Sequence, residues 1–194
     1  MREIACCFSL LVICSLLAVC STFAETIYLD SANRSFNVIS PRTWQRSQIT
    51  TPNSKVKFIS PPGTPEASCA VIVQKYEGLR NTSQAALNSI FLEPPNSKEI
   101  ASHLSLQYNN VRVLSIGARM LSGSPSYYYN TQYSTGTPEG RLWIRSATNT
   151  TATTPGLVWV VSCGTTGKSI AEADAGFSYW QFEITKFITN FEIR

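Results

Sequence analysis

Alternating hydrophobic and polar residues predict a series of short strands in the first part of the chain. The alternation covers residues 35–39 and 55–59, where apolar side chains occupy every second position. Pro41 ends the first strand, because proline cannot donate a hydrogen bond to a neighbouring strand. Residues 69–73 are apolar on both faces, which is typical of a strand at the centre of a sheet.

From residue 82 the apolar positions recur at helical spacing until Pro94 and Pro95 end the segment. Asn96, with Glu99 three residues later, then predicts a capping box that opens a second helix. A third helix closes the chain, and its apolar stripe consists of Phe177, Trp180, Ile184, Phe187, Ile188 and Phe191. Such a stripe predicts a helix that covers one face of a sheet.

Further strands are predicted between the second and third helices. They lie at 111–116, 127–133, 141–145 and 157–163, with a turn at 123–125 and a threonine-rich loop at 146–155. The order of the elements favours an α+β fold, a central antiparallel β-sheet with helices packed on its faces. We expect one domain, residues 25–194.

The first 24 residues have the features of a secretion signal. Arg2 precedes an uncharged run at 4–19, and Ala24, with the small residue Thr22 two positions before it, resembles a signal-peptidase site. Two alternatives stay open: a retained membrane anchor, and a lipoprotein whose lipid is attached to Cys20. Membrane association is expected only if Cys20 is lipidated. The protein is therefore expected in the periplasm or outside the cell.

Four of the six cysteines lie in this leader, which leaves Cys69 and Cys163 in the mature domain. An even number of cysteines in an exported chain favours a disulfide between them. The alternative is two buried free thiols in adjacent strands.

Charge and candidate chemistry argue against most familiar activities. The net charge is +4 without any run of lysine or arginine, so no nucleic-acid partner is expected. His103 is the only histidine, and hydrolytic triads and most zinc sites require imidazole. The segment 164–169 has too few residues between its glycines for a phosphate-binding loop, and we interpret it as a loop before a helix. No catalytic, cofactor-binding or metal-binding residue is predicted, and the protein is not expected to be an enzyme.

The strands at 127–145 are rich in aromatic residues. Because successive side chains on a strand alternate between faces, Tyr127 and Tyr129 face one side and Tyr128 the other. Tyrosine and tryptophan are frequent anchors of protein interfaces, so Tyr128 and Trp143 are candidate protein-contact residues.

The order of these segments resembles the PsbP-like superfamily. The resemblance is carried by residues 36–41 with Trp44, by 56–61, by Gly123 ahead of three tyrosines, and by the tail 190–193, in which Asn190 replaces the family's serine. It implies the PsbP-like α+β fold and a binding role, with no catalytic residues or cofactor to carry over.

These observations favour an exported, non-catalytic protein-binding or assembly module of the bacterial envelope or secretome. A narrower version is an immunity protein or a chaperone for a secreted toxin or effector. A small-ligand or lipid-binding protein, for which an apolar pocket beneath the tyrosine-rich strands would be the sign, and an enzyme with an unrecognised site are the alternatives.

Overall fold

The computed structural model describes residues 35–50 and 53–194 in full and 24–28 as backbone. Its strands are β1 (Ala24–Tyr28), β2 (Ser35–Ile39), β3 (Gln45–Arg46), β4 (Ser54–Ile59), β5 (Ala67–Lys75), β6 (Asn109–Leu121), β7 (Ser124–Thr137), β8 (Gly140–Thr153), β9 (Leu157–Gly167) and β10 (Glu192–Ile193). Its helices are α1 (Gln84–Leu92), α2 (Ser97–Leu104) and α3 (Ile170–Thr189), with a 3-10 turn at Glu77–Leu79.

Seven strands form an antiparallel sheet in the order β3-β4-β5-β9-β8-β7-β6. A smaller sheet of β1, β2 and β10 joins the two ends of the described chain. The predicted α+β class, with helices on an antiparallel sheet, is confirmed. The expected leader lies outside the described residues except for Ala24, the first residue of β1.

Helix α3 packs on one face of the large sheet, over β5, β9 and β8. Ser169 caps its start by accepting a hydrogen bond from the backbone N–H of Glu172 at 3.2 Å. The predicted stripe faces the sheet, where Phe187 lies edge-on to Phe58 at 5.9 Å between ring centroids. This contact belongs to the main hydrophobic core, which the smaller sheet closes with Phe36.

The other face of the sheet is partly covered by α1 and α2. The capping box of α2 is present as predicted: Asn96 Oδ1 accepts from the Glu99 N–H at 3.1 Å, and Glu99 Oε2 accepts from the Asn96 N–H at 2.9 Å. Leu87 and Phe91 of α1 pack against β8 and β9 in a second, smaller core. In the described ranges, no helix is both long and apolar enough to cross a bilayer.

The threonine-rich segment is a strand, so the prediction of a loop at 146–155 was wrong. Strand β8 continues to Thr153, and most of the threonines in it are buried. Thr148 Oγ1 shares a hydrogen bond with Ser162 Oγ at 2.8 Å, and Thr151 Oγ1 donates to the Pro125 carbonyl at 2.7 Å. Branching at Cβ suits threonine to strands, and these hydrogen bonds allow the hydroxyls to be buried.

The loop predicted for 164–169 is also mostly strand, because β9 continues to Gly167. A Cβ atom at Gly167 would lie 2.6 Å from the backbone nitrogen of Ala173, so glycine permits α3 to fold back closely on the strand. The glycines therefore have a packing role.

Cys69 and Cys163 are joined by a disulfide. They lie directly opposite each other on β5 and β9, with their Cα atoms 4.0 Å apart, and both are buried in the main core. The bridge therefore links the two central strands of the sheet beneath α3.

Candidate functional site

The helices leave one strip of each sheet face uncovered. On the face that carries α3, the helix stops short of β6 and β7; on the opposite face, α1 and α2 cover the β6–β8 side and leave β5 and β9 more open. A groove runs along the boundary between covered and uncovered sheet on each face. These grooves are the candidate binding sites.

The first, which we call the arginine groove, lies between α3 and the strands β6–β8 and encloses about 280 Å³. Its polar wall comes from the sheet and its more apolar wall from α3. The residues that define it are Arg119, Tyr128, Asn130, Arg145, Phe177 and Ile188.

Arg119 lies at the outer side of this groove, on β6. Its guanidinium carbon is 5.3 Å from the ring centroid of Tyr128, within range of a cation–π interaction. Its Nε is buried without a hydrogen-bond partner, and no carboxylate of the described residues forms an ion pair with it. Burial lowers the pKa of Arg119, an effect that Tyr128 partly offsets, although the group stays charged. Arg119 is thus a partly desolvated cation with unused donors.

The Tyr128 ring rests on the backbone of Gly117, the residue opposite it on β6. A Cβ atom at Gly117 would lie 2.8 Å from Tyr128 Cε1, so any larger residue would displace the ring. Glycine therefore leaves room for the Tyr128 ring next to Arg119.

Arg145, at the other side of the groove, is held by several partners. Its Nε lies 3.5 Å from Asp174 Oδ1, and a terminal nitrogen donates to the Ser146 carbonyl at 2.8 Å. Its guanidinium carbon also lies 4.3 Å from the ring centroid of Phe177. Burial lowers the pKa of Arg145, and Asp174 raises it again in part. The groove thus has one neutralised arginine and one without a counter-ion among the described residues.

The second, which we call the tyrosine groove, lies on the opposite face and encloses about 450 Å³. Its floor and wall are mostly apolar or aromatic, and they comprise Tyr127, Tyr129, Val158, Val160, Ile100 and Leu104. Burial raises the pKa of Tyr129 to about 12, although a side-chain hydrogen bond to Thr148 opposes the rise. A concave, largely apolar surface with a few polar groups is typical of small-ligand sites.

The structure places the two predicted contact residues on the same face of the sheet but does not bring them together. Tyr128 pairs with Asn149, and Trp143 lies six residues before Asn149 on β8, which corresponds to about 20 Å along a strand. Both are half-buried. Tyr128 lines the arginine groove, whereas Trp143 lies opposite Gly167 near the start of α3.

Arg119 and Arg145, which help to define the arginine groove, were not among the residues predicted from the sequence. Both occupy strand positions on the same face as Tyr128, according to the pairing of β6, β7 and β8. An arginine within an alternating strand was the available signal, but only the register shows that the two side chains share a groove.

Side chains that could ligate a metal do not cluster in the described residues. No cluster of three or more histidine, cysteine, aspartate or glutamate side chains there could hold a metal ion. His103 is exposed on α2, at the edge of the tyrosine groove.

No protein-family model matches the sequence, and no curated protein matches it either. The solved structures that share its fold include LpqN, cyanobacterial PsbP and Mog1p. LpqN, involved in cell envelope biogenesis of Mycobacterium tuberculosis, has a TM-score of 0.52 and 9% identity over 88% of this chain and 90% of LpqN. Cyanobacterial PsbP (CyanoP) from Synechocystis sp. PCC 6803 has a TM-score of 0.52 and 11% identity over 91% of this chain and 96% of CyanoP.

The Ran-binding protein Mog1p of Saccharomyces cerevisiae has a TM-score of 0.51 and 8% identity, with 89% of this chain and 96% of Mog1p covered. Identities this low show the fold alone. The fold expected from the sequence resemblance is confirmed: the chain has the PsbP-like fold.

Proposed function

We propose that the protein is an exported, non-catalytic binding module that holds another protein in the arginine groove. The observation that carries this proposal is Arg119, a partly buried guanidinium with an unsatisfied Nε and no carboxylate partner among the described residues. Desolvation of a charged donor is unfavourable unless a hydrogen-bonding partner compensates for it. An acidic group of a bound protein that pairs with the accessible part of the guanidinium would offset this cost.

The surroundings of Arg119 suit a protein ligand. Arginine and tyrosine are enriched among the residues that dominate binding energy at interfaces, and here they are stacked on each other. The α3 wall adds apolar contact through the half-buried Phe177, and Asn130 adds an amide for backbone groups of a partner. A charge-assisted hydrogen bond in such a place contributes about 1.5–3 kcal/mol.

Export is supported by the buried Cys69–Cys163 disulfide, because structural disulfides persist in oxidising compartments. Strand β1 begins at Ala24, the expected cleavage site, so cleavage after Ala24 would leave Glu25–Tyr28 available to pair with β2. The roles named for LpqN, in envelope biogenesis, and for Mog1p, in Ran binding, agree in kind with an accessory binding module.

Affinity capture with the full chain, tagged at its carboxyl terminus and expressed in the source cell, tests this proposal. Arg119→Gln should abolish enrichment of the partner, since it removes the cation but keeps the length of a polar side chain. Arg141→Gln is the matched control, because Arg141 is exposed at the start of β8 and does not line the groove. Equal capture by the wild type and Arg119→Gln would refute binding through the groove.

A second candidate function is the binding of a small apolar ligand in the tyrosine groove. The observation that favours it is the 450 Å³ concavity beneath the tyrosine-rich strands, lined by Val158, Val160 and Leu104. Its volume lies within the usual range for ligand pockets, about 300–1,000 Å³.

Native mass spectrometry of the protein purified from its source would test the second candidate. We expect a co-purifying apolar compound in the wild type that is lost in Val160→Phe, which would fill the groove. Thermal unfolding of both proteins controls for misfolding of the variant. A wild-type protein without bound compound, which also fails to bind a fluorescent fatty acid, would contradict this function.

A further inference from the structure

Strand β6 forms a long exposed edge of the large sheet. In the described part of the chain it pairs with β7 alone, and most of its thirteen residues are exposed or half-buried. Its register irregularities fall before Ser115, and from Ser115 to Leu121 the pairing with β7 is continuous. Proteins usually shorten, bulge or cover such edges, because unpaired backbone groups can bind another strand.

Side-chain hydrogen bonds show which backbone groups of this edge point outward. Ser126 Oγ on β7 donates to the Arg119 carbonyl at 2.9 Å, so that carbonyl faces β7. The N–H and C=O of one residue in an antiparallel strand point to the same side, and the sides alternate along the strand. The N–H and C=O groups of Ile116, Ala118 and Met120 therefore face away from β7.

The neighbouring strand β7 supports the assignment of outward-facing backbone groups on β6. Pro125 pairs with Met120, and its carbonyl accepts a hydrogen bond from Thr151 on β8, so it faces β8 rather than β6. Met120 therefore occupies a position where no backbone bond to Pro125 forms. Three donor and acceptor pairs on β6 are thus available to an added strand.

We propose that Ser115–Leu121 receives an extended segment of the partner protein as an additional strand, and that an acidic side chain of that segment binds Arg119. This inference rests on the proposed function and specifies the partner. The side chain of Arg119 belongs to the edge strand and lines the arginine groove, so one segment can bind the edge and the groove together. Cross-strand neighbours have Cβ atoms about 5 Å apart, within reach of an ion pair.

Charge favours an acidic segment over a second copy of this chain. Strand β6 has the sequence NNVRVLSIGARML, with two arginines and no acidic residue. Pairing of β6 with its own copy would add like charges along one edge without any compensating carboxylate, whereas an acidic segment is complementary to it.

Two substitutions at Ala118 separate strand addition from other binding modes. Ala118→Pro removes an outward N–H without removing a hydrogen bond to β7, and proline is tolerated on edge strands in this orientation. Ala118→Thr is the matched control, because it keeps the N–H and suits a strand. Partner capture by the full chain should be lost in Ala118→Pro and retained in Ala118→Thr, while both proteins unfold at similar temperatures.

Hydrogen exchange provides the direct measurement. A short peptide of alternating threonine and valine with one central glutamate should protect the amides of Ile116, Ala118 and Met120 in the full chain. Replacing its glutamate by glutamine should weaken binding by roughly tenfold, the loss of one charge-assisted hydrogen bond. Arg119→Gln should remove the difference between the two peptides, and methylation of alternate peptide nitrogens should abolish binding.

The outcomes distinguish this inference from the proposed function. Capture that is lost in Arg119→Gln but unchanged in Ala118→Pro would overturn strand addition and leave groove binding intact. Capture unchanged in Arg119→Gln would overturn the proposed function as well. Protection of the three amides by dimerisation, without peptide, would replace the acidic segment by a second copy of the chain.

Discussion

Removal of the Cys69–Cys163 disulfide should destabilise the protein strongly. The bridge joins residues separated by 94 positions, and in the chain-entropy model a loop of this length stabilises the folded state by about 4.5 kcal/mol at 25 °C. Both cysteines are buried in the main core, so Cys69→Ala with Cys163→Ala also loses about 1 kcal/mol of packing at each site. Together these contributions predict a loss of about 6.5 kcal/mol, which is a large part of the stability of a typical domain.

Urea unfolding of the full chain measures this loss, and a neighbouring residue pair provides the control. Val71 and Val161 lie opposite each other on the same two strands and are fully buried. Val71→Ala with Val161→Ala removes packing without removing a cross-link. The cysteine variant should therefore show both a lower midpoint and a larger m-value, because its unfolded chain is more expanded, whereas the valine variant should show only the lower midpoint.

Two results would refute this reasoning. Two free thiols in the denatured, non-reduced wild type would show that the cysteines are unpaired in solution. An unchanged m-value in the cysteine variant, with a loss of stability no larger than in the valine variant, would show that the bridge does not constrain the unfolded chain.

Three further predictions concern the sheet. Gly117→Ala should displace the Tyr128 ring and weaken partner capture at least several-fold. Because the clash is with a side chain, the free energy of unfolding should change by less than about 2 kcal/mol. A crystal structure of the variant with an unmoved ring would contradict this prediction. Asn149→Leu should raise the free energy of unfolding by about 1–3 kcal/mol, because the buried Asn149 amide has no hydrogen-bond partner. If urea unfolding showed a less stable variant, the amide would have to be hydrogen-bonded in the wild type. Burial raises the pKa values of Tyr129 and Tyr133 to about 12. The contribution of these two tyrosines to stability should therefore be complete below pH 10 and should be lost between pH 10 and 12, because the unfolded chain releases their protons first. Tyrosinate absorbance in which all tyrosines of the folded protein titrate together near pH 10 would contradict this prediction.

Local sequence signals predicted the elements whose stability is local. The Asn96–Glu99 capping box and the stripe of α3 depend on residues within a few positions of one another, and both are present in the structure. The opposite orientations of Tyr128 and its neighbours also follow from the two-residue period of a strand.

Elements that depend on distant partners were not predictable in this way. Strand β8 runs through a polar, threonine-rich segment that resembles a loop, and the hydrogen bonds that stabilise it come from β7 and β9. Likewise, Arg119 and Arg145 are far apart in sequence, and only the register of β6, β7 and β8 brings them to one groove. The register of these strands depends on the pairing of all of them together, and it cannot be predicted from a short segment of the sequence.

The width of the sheet explains why the grooves lie where they do. Seven strands spaced about 4.8 Å apart span roughly 29 Å, whereas a helix with its side chains is about 10–12 Å across. Helix α3 alone therefore cannot cover its face, and β6 and β7 beyond it must carry side chains that tolerate water. Tyr128 packed on Gly117, with Arg119 above it, meets that requirement. Because these side chains belong to the uncovered strip and not to the core, they can change without loss of the fold. At 8–11% identity, the structural relatives share the fold, and the side chains that line this uncovered strip are expected to differ among them.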